Sequence, residues 1–356
     1  MHLKRRIPVA VLGATGSVGQ KFVSLLADHP WFHVVALTAS ERSAGKVYGQ
    51  TVRWVQESRL PGDLARMVLQ PSTPPLDVRL VFSALDAGVA GDIEAHFAQE
   101  GYVVVSNARN HRMEPDVPLL VPEVNPDHLA LVSRQPYGDG AIITNPNCST
   151  IGLVVPLKPL HEQFGLKQIN VVTMQAVSGA GLPGLSSMEI SDNVIPYIHG
   201  EEAKMESESK KILGTLNGGQ VELADFDISA QCNRVHVIDG HTECVSIALH
   251  EPATDRQILE AWSAFEPEPQ ARLLPSAPRP AIEYFDEPMH PQPRLHRTLG
   301  AGMTVSVGRL RPCPVLDWKF VVLSHNTVRG AAGGSILAAE LATARGLLDR
   351  SDGGSS

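Results

Sequence analysis

The segment Ile7-Pro-Val-Ala-Val-Leu-Gly-Ala-Thr-Gly-Ser-Val-Gly19 joins a short apolar run to a glycine-rich turn. The run Ile7–Leu12 shows no polar alternation, which is typical of a strand buried on both faces. Apolar residues then recur at the spacing of a helix face, at Val18, Phe22, Leu25 and Leu26. Strand, glycine turn and helix in this order predict the first unit of a doubly wound parallel sheet, and so the α/β class.

The glycine turn has the spacing G-x-x-G-x-x-G, a variant of the usual dinucleotide fingerprint. Glycines let the backbone turn tightly and approach a pyrophosphate, and the start of the following helix supplies amide donors and a positive dipole. The pattern predicts a phosphate-binding loop, with an ordinary tight turn as the alternative. The residues expected to bind the cofactor here are Gly13, Thr15, Gly16, Ser17, Val18 and Gly19.

Further apolar runs extend this organisation along the first part of the chain. They are Val34–Leu37, Leu80–Ser83, Val103–Val105 and Ala141–Thr144. Residues 1–146 are therefore predicted to form a Rossmann-like dinucleotide-binding domain. A glycine-rich turn and a helical pattern at 326–349 are predicted to complete it.

The middle of the chain favours a second, α+β domain over residues 147–325. Its predicted strands are Val171–Val177, Ala230–Ile238, His241–Leu249 and Val315–Ser324, and its predicted helices are 151–164 and 200–216. Asp239-Gly240 predicts a hairpin turn that joins two of these strands. Pro156 and Pro159 are expected to kink or shorten the first helix, and residues 265–296 are expected to form an extended excursion or a long loop.

Composition excludes several classes of protein. A chain of 356 residues with 43 % hydrophobic residues suits two folded domains. The net charge of −8 and the aromatic content of 5 % argue against a nucleic-acid-binding surface. No apolar window is long enough for a membrane span or a signal peptide. Four cysteines without a C-x-x-C pair predict no metal site and a reducing, cytoplasmic location.

The loop after the second predicted strand bears on the choice of cofactor. Ser40, Arg42 and Ser43 supply two hydroxyls and a guanidinium, which suit the 2′-phosphate of NADP. Glu41 in the same loop argues the other way, because a carboxylate accepts hydrogen bonds from ribose hydroxyls. We predict NADP as the cofactor, with an ordinary solvated loop as the alternative interpretation.

Asn145-Pro-Asn-Cys-Ser-Thr150 places a cysteine between a strand and a helical run. A helix N-terminus stabilises a thiolate, so the pKa of Cys148 is expected to fall. A thiolate is what attack on an acyl group requires. The polar neighbours favour a nucleophile over a cysteine that only packs in the core.

Arg234 and His241 flank the Asp239-Gly240 turn. An imidazole titrates near neutrality and suits general acid/base catalysis. A guanidinium can hold a carboxylate through two parallel hydrogen bonds. On the residues alone, a structural or merely exposed histidine remains the more common outcome.

Taken together, these motifs resemble the archaeal and fungal branch of the aspartate-β-semialdehyde dehydrogenase family. The matching segments run through nearly the whole chain, in the order found in the family. They are 11–19, Ser106-Asn-Ala-Arg-Asn110, 144–150, Gln175-Ala-Val-Ser-Gly179, 193–202, Asp239-Gly-His-Thr242 and 326–333.

The resemblance implies a role for each matching position. Cys148 is implied as the acyl-enzyme nucleophile, His241 as the acid/base and Gln175 as the residue that orients the thioester. Arg234 is implied to hold the substrate α-carboxylate and Glu202 its α-amino group. Asn107, Arg112 and Lys204 are implied to form the phosphate pocket, with Arg109 as the alternative to Arg112. Asn326 is implied to place the nicotinamide ring, and Ser83, Ser178 and Gly179 to contact the cofactor.

The implied reaction is the reduction of L-aspartyl-4-phosphate by NADPH to L-aspartate 4-semialdehyde, through a cysteine thioester and with release of phosphate. In the family the product serves lysine, diaminopimelate, threonine and methionine synthesis, and the enzymes are homodimers or homotetramers that assemble through the second domain. Three alternatives remain at this stage: N-acetyl-glutamyl-phosphate reductase, malonyl-CoA reductase, and a catalytically inactive binding protein of the same fold.

Overall fold

The structure is a computed structural model that describes residues 5–348. Its first sheet has six strands, all parallel, in the order β3-β2-β1-β4-β5-β6. The strands are β1 (Ile7–Leu12), β2 (Phe32–Ala39), β3 (Gln70–Pro71), β4 (Leu80–Ser83), β5 (Val103–Ser106) and β6 (Ala141–Thr144). The strand order reverses between β1 and β4. The carboxyl ends of these two strands therefore form the crevice where such sheets bind nucleotides.

Helices on both faces cover this sheet, as the doubly wound prediction requires. They are α1 (Ser17–Leu26), α2 (Tyr48–Thr51), α3 (Gly62–Ala65) and α4 (Ala87–Gln99), with a 3₁₀-helix at Pro126–Arg134. The last described helix of the chain, Gly333–Ala344, joins the same hydrophobic core through Ile336, Leu337 and Leu341. The return of the chain to this core is confirmed over the described residues, and residue 349 of the predicted range lies outside them.

The second sheet has seven strands of mixed direction in the order β13-β14-β15-β12-β7-β11-β8. They are β7 (Leu166–Gln175), β8 (Val194–Ile195), β11 (Asp227–Val235), β12 (His241–Leu249), β13 (Ile282–Phe285), β14 (Val305–Pro312) and β15 (Trp318–Ser324); β9 (Thr215–Asn217) and β10 (Gln220–Glu222) form a separate hairpin. The helices of this part are α5 (Cys148–Phe164), α6 (Ser187–Ile190), α7 (Glu201–Ile212), α8 (Asp255–Ser263), α9 (Glu268–Ala271) and α10 (Pro293–His296). Short 3₁₀-helices lie at Val177–Ala180 and Leu299–Gly302, and a π-helix at Val328–Ala332 precedes α11 (Gly333–Ala344).

The predicted turn at Asp239-Gly240 does not join two paired strands. β11 and β12 both pair with β7, β11 in parallel and β12 antiparallel, so β7 lies between them. The segment 236–240 crosses the end of β7, a width of about two strand spacings, or ~10 Å. The hairpin interpretation is therefore wrong. The crossing places Arg234 and His241 on either side of the end of β7.

Two further expectations about local structure were wrong. Helix α5 runs through Pro156 and Pro159 to Phe164 without interruption. Both prolines are buried, and packing in the core of the second sheet supports the helix where their missing N–H groups weaken it. The region 265–296 is not a plain loop, because Ile282–Phe285 pairs in parallel with β14 as an edge strand. Within residues 5–348, no helix combines the length and the apolar character that a bilayer span requires.

Candidate active site

The candidate site lies where α5 begins, at the end of the seven-stranded sheet where β7 ends and β12 begins. Gln175 at the end of β7 pairs in register with Arg234 on β11, and His241 opens β12 on the other side. Cys148 is the first residue of α5. The Sγ atom of Cys148 lies 3.2 Å from Nε2 of His241. The structure thus brings the predicted nucleophile and the predicted acid/base residue into contact.

Two of the N-terminal amides of α5 are taken up by a helix cap. The Oδ1 atom of Asn147 accepts hydrogen bonds from the backbone N–H groups of Ser149 (3.0 Å) and Thr150 (3.3 Å), which is a helix N-cap. Burial raises the pKa of Cys148 to about 12, and the carboxylate of Glu201 acts in the same direction. The expected lowering of this pKa is therefore wrong in the resting enzyme, because the cap uses the amides and the thiol is desolvated.

His241 is neutral beside this thiol. Burial, and then the positive charge of Arg234, lower the pKa of His241 to about 3. The backbone N–H of Ala176 donates to Nδ1 of His241 over 3.0 Å. A neutral imidazole that accepts at Nδ1 carries its hydrogen on Nε2. His241 therefore presents a hydrogen-bond donor to Cys148. Protonation of Nδ1 is disfavoured, because the added hydrogen would face the backbone N–H of Ala176.

Glu201, and not Glu202, is the carboxylate beside Cys148. Glu201 accepts from Nζ of Lys204 (2.6 Å), from Nδ2 of Asn147 (2.7 Å) and from Nε2 of Gln175 (3.4 Å). Glu202 lies one helical position further round and accepts from the backbone N–H of Cys232. On this geometry Glu201, rather than Glu202, is placed for the role that the resemblance implies for Glu202. Residues three apart share a helix face, so Glu201 lies on the same face of α7 as Lys204.

Arg234 lies against the loop that follows β7. Its Nη1 donates to the carbonyl of Ala176 over 2.7 Å, and its side chain is buried. A Cβ atom on Gly179 would lie 2.8 Å from Nη1 of Arg234 and 3.5 Å from Nε2 of His241. A side chain at Gly179 would therefore enter the space beside both functional groups.

The expected nicotinamide residues lie in the same loop region. Nδ2 of Asn326 donates to Oγ of Ser178 over 2.8 Å, and Oδ1 of Asn326 accepts from the backbone N–H of Gly240 over 2.9 Å. A Cβ atom on Gly181 would lie 3.8 Å from Oγ of Ser17, at the start of α1. The loop therefore connects the Cys148–His241 pair to the predicted phosphate-binding loop.

The glycine turn has the geometry of a phosphate-binding loop. Gly13 has a φ of +70°, and a Cβ atom there would lie 2.7 Å from the carbonyl oxygen of Ala84. Gly16 is the N-cap residue of α1 and has no side chain, so no side-chain hydrogen bond occupies the amides of Ser17, Val18 and Gly19. These free donors and the close backbone approach fit the pyrophosphate of a dinucleotide.

The four other predicted cofactor contacts differ in their exposure to solvent. Ser40 and Arg42 are exposed and Ser43 is half-buried, in the turn directly after β2. Ser83 is fully buried, and its hydroxyl donates to Oε1 of Glu94 over 2.5 Å. The side chain of Ser83 is therefore turned toward helix α4, which carries Glu94, and its cofactor contact stays a prediction.

Arg112 belongs to the site, whereas Arg109 is exposed. Nη1 of Arg112 donates to Oε1 of Glu208 over 2.9 Å, and Nη2 donates to the carbonyl of Asn107 over 2.8 Å. The second carboxylate oxygen of Glu208 accepts from the backbone N–H of Asn147 over 2.7 Å. Glu208 thus ties the guanidinium to the N-cap of the nucleophile's helix. Sequence reasoning missed it, since it lies in a charged run typical of a solvated helix.

Asn107 and the π-helix complete the surroundings of Cys148. Nδ2 of Asn107 donates to Oγ of Ser335 over 2.9 Å. A Cβ atom on Gly330, within the π-helix, would lie 2.7 Å from Cβ of Cys148. The preceding residue, Arg329, donates hydrogen bonds from both Nη groups to the carboxylate of Glu123, over 2.6 and 2.8 Å. No local sequence signal reveals this contact, because 206 positions separate the two residues.

Across residues 5–348, no three His, Cys, Asp or Glu side chains converge as a metal site would require. The groups gathered around Cys148 are a neutral histidine, a carboxylate and three cationic side chains: Arg112, Lys204 and Arg234. The arrangement can hold a small substrate that carries both an ammonium and several anionic oxygens. It can also present a thiol to an acyl carbon.

Two family models match this chain. The NAD-binding domain of semialdehyde dehydrogenases matches residues 8–132, and the dimerisation domain of semialdehyde dehydrogenases matches residues 157–329. Together they span most of the polypeptide.

Individual relatives agree with these matches. The aspartate-semialdehyde dehydrogenase of Archaeoglobus fulgidus is 49 % identical over 340 residues, which cover 94 % of this chain and 98 % of that protein. The enzyme of that name from Schizosaccharomyces pombe is 49 % identical over 352 residues, with 96 % and 99 % covered.

Solved structures show the same likeness. The crystal structure of aspartate semialdehyde dehydrogenase with NADP from Candida albicans superposes with a TM-score of 0.90 at 46 % identity, covering 97 % of this chain and 100 % of that one. Aspartate semialdehyde dehydrogenase II of Vibrio cholerae, complexed with ASA, gives a TM-score of 0.74 at 27 % identity, with 96 % and 99 % covered. The chain belongs to the aspartate-semialdehyde dehydrogenase family.

Proposed function

We propose that this chain catalyses the NADP-dependent reductive dephosphorylation of L-aspartyl-4-phosphate to L-aspartate 4-semialdehyde. The observation that carries the proposal is the contact of 3.2 Å between Cys148 Sγ and His241 Nε2. This pair lies beside a guanidinium and a buried carboxylate, a combination suited to an amino-acid substrate. The relatives named for this activity support the same conclusion.

Cys148 acts as the nucleophile. Its sulfur attacks the acyl carbon, the bond between that carbon and the phosphate oxygen breaks, and the thiol proton leaves with the phosphate. His241 donates from Nε2 to the sulfur and then to the carbonyl oxygen as negative charge develops there. NADPH, when bound, supplies the hydride that reduces the thioester. Gln175, next to Glu201, orients the acyl group for that transfer.

The charged side chains position the substrate. Arg234 takes the α-carboxylate through its guanidinium. Glu201 takes the α-amino group, because its carboxylate is buried and already turned toward the nucleophile. Arg112 and Lys204, with Asn107, form the phosphate pocket. Malonyl-CoA has no α-amino group for Glu201 to bind, so the amino-acid substrate is favoured.

The cofactor is held by the glycine loop and by the loop after β2. The uncapped start of α1 receives the pyrophosphate, and Asn326 with Ser178 and Gly179 places the nicotinamide. Ser40, Arg42 and Ser43 receive the 2′-phosphate. The exposure of Arg42 leaves its guanidinium free to turn toward that group.

Domain organisation and assembly follow the same proposal. Residues 1–146 with 326–349 form the nucleotide-binding domain, and 147–325 form the catalytic domain, through which two copies associate. The match to a dimerisation domain supports self-association. We propose a homodimer, with a tetramer as a further assembly of dimers, in the cytoplasm.

A substrate panel tests the activity. The purified chain is expected to reduce NADP with aspartate semialdehyde only when phosphate is present. Malonate semialdehyde with CoA serves as the matched control for malonyl-CoA reductase. Cys148→Ala is expected to bind NADP without turnover. Phosphate-independent turnover, or full activity of the Ala variant, would contradict the proposal.

A further inference from the structure

Helix α7 has one face that is polar and buried. Four charged side chains follow one another at intervals of three, four and three residues, which places them on this face: Glu201, Lys204, Glu208 and Lys211. Glu208 is 2 % exposed and Lys211 is 3 % exposed. The first three side chains have the contacts at the candidate site described above. Lys211 lies one turn beyond Glu208, and the mechanism above does not use it.

Lys211 binds the backbone of the segment that carries Arg112. Its Nζ donates to the carbonyl oxygens of Arg112 over 2.7 Å, of Glu114 over 2.7 Å and of Val117 over 2.9 Å. A protonated lysine has three N–H donors, so the ammonium matches these three acceptors one for one. Residues 107–117 contain no helix or strand, and carbonyls outside regular structure need other donors where they are shielded from water. Lys211 therefore fastens three points of this segment to α7.

Helix α7 holds Arg112 at both ends. Lys211 binds its backbone carbonyl, and Glu208, one turn earlier, accepts from Nη1 of its guanidinium over 2.9 Å. The same carboxylate accepts from the backbone N–H of Asn147, the residue before Cys148. Two side chains on one helix face therefore set the position of the guanidinium relative to the helix of the nucleophile.

The surroundings of Lys211 determine its charge. The charged and titratable groups around it are Glu208 on α7, Glu114, Asp116 and Arg112 on the segment 107–117, and His128 on the 3₁₀-helix Pro126–Arg134. Burial lowers the pKa of Lys211 to about 8, and the three carboxylates act against this shift. At neutral pH Lys211 is therefore mostly an ammonium with three donors, and well above pH 8 it is an amine with one donor fewer.

We propose that Lys211 is a positioning residue for phosphate: it fixes the backbone of Arg112 through the three carbonyls, so that the guanidinium is held in place at the phosphate pocket. A guanidinium that is already fixed binds an anion more tightly, because less side-chain and loop motion is lost on binding. The proposal rests on the phosphate pocket proposed above, but part of its test needs no turnover.

The test compares variants of two neighbouring lysines. Lys211→Met keeps most of the length of the side chain and removes all three donors, and Lys211→Gln keeps two donors on a shorter side chain. The matched control is Lys210→Met, because Lys210 is half-buried on another side of α7. The dissociation constant of inorganic phosphate is measured from its protection of Cys148 against iodoacetamide. The KM values for phosphate and for aspartate semialdehyde are measured in turnover with NADP.

At pH 7, Lys211→Met is expected to weaken phosphate binding about tenfold and Lys211→Gln less, whereas Lys210→Met should stay within about twofold of the parent. The KM for phosphate should rise likewise, while the KM for the semialdehyde stays within about twofold. The ratio of the dissociation constants of Lys211→Met and parent should fall toward about threefold at pH 9.5, because the parent loses one donor. The second ionisation of phosphate affects both proteins alike and cancels in this ratio.

A double-mutant cycle with Arg112→Ala separates this role from a general loss of structure. In the Arg112→Ala background, Lys211→Met is expected to change the dissociation constant of phosphate by no more than about twofold, because the guanidinium that Lys211 positions is gone.

Equal effects of Lys211→Met in both backgrounds, equal rises in both KM values, or a ratio that does not change with pH would overturn the proposal. A parent in which phosphate does not protect Cys148 would overturn it as well. If Lys211→Met does not fold, Lys211→Gln takes its place in every comparison. Absence of turnover with aspartate semialdehyde would refute the proposed function, and the protection measurements would still decide the role of Lys211.

Discussion

Glu123→Gln tests how the turn behind the nucleophile is held. The carboxylate of Glu123 receives both Nη groups of Arg329, over 2.6 and 2.8 Å, and both side chains are 1 % exposed. Removing the negative charge leaves the guanidinium buried without its partner. A loss of this kind lowers the free energy of unfolding by about 3–5 kcal/mol. Turnover should fall as well, because Gly330 next to Arg329 touches Cys148.

The assay is urea unfolding followed by tryptophan fluorescence, with the rate of Cys148 alkylation measured alongside. The matched control is Glu260→Gln, which removes an ion pair with Arg256 whose side chains are 58 % and 85 % exposed; this exposed pair should contribute little to the free energy of unfolding. The double variant Glu123→Leu, Arg329→Met replaces the buried pair by apolar groups and is expected to recover most of the lost stability. A loss in Glu123→Gln no larger than in the control, or a double variant less stable than Glu123→Gln, would refute the reasoning.

Four further outcomes are expected at the site itself. Cys148→Ser should retain a small residual activity, measured as kcat, because a hydroxyl is a weaker nucleophile than a thiol at neutral pH. His241→Asn should lower kcat with little change in KM, and His241→Gln, whose amide reaches the position of Nε2, should keep about tenfold more activity than the Asn variant; equal rates would contradict the donor role. Arg234→Leu should raise KM for the semialdehyde strongly while the KM for NADP stays constant. Parent enzyme should prefer NADP to NAD by about tenfold or more in kcat/KM, from one charge-assisted contact worth about 1.5–3 kcal/mol, and Arg42→Ala should lose this preference mainly through the KM for NADP.

Sequence patterns predicted the first sheet closely because each of its strands is buried on both faces. The runs Ile7–Leu12, Leu80–Ser83 and Ala141–Thr144 have the same bounds in the structure as in the sequence pattern. The hairpin at Asp239-Gly240 failed for a different reason. Strand pairing is decided by partners distant in the chain, and β7 enters between two strands that are consecutive in sequence.

Within the site, the sequence indicated which residues matter better than it indicated the burial and the charges around them. It singled out Cys148 and His241, which the structure brings into contact, but the thiol pKa depends on burial and on the carboxylate of Glu201, and neither is visible in a motif. The choice between Glu201 and Glu202 depends on which face of α7 is turned toward Cys148. The interval of three residues from Glu201 to Lys204 settles it only when the orientation of the helix is known. Glu208 and Glu123 act through partners far along the chain, so no local pattern could reveal them.

The path of the chain between its two sheets has a mechanical consequence. The polypeptide leaves the first sheet after β6, at residues 145–147, and returns from the second through 325–332 before α11 joins the first core. These two crossings touch each other where Gly330 meets Cys148. Any side chain at position 330 would push these two segments apart and shift the sulfur of Cys148, so the joint between the sheets also sets the position of that thiol.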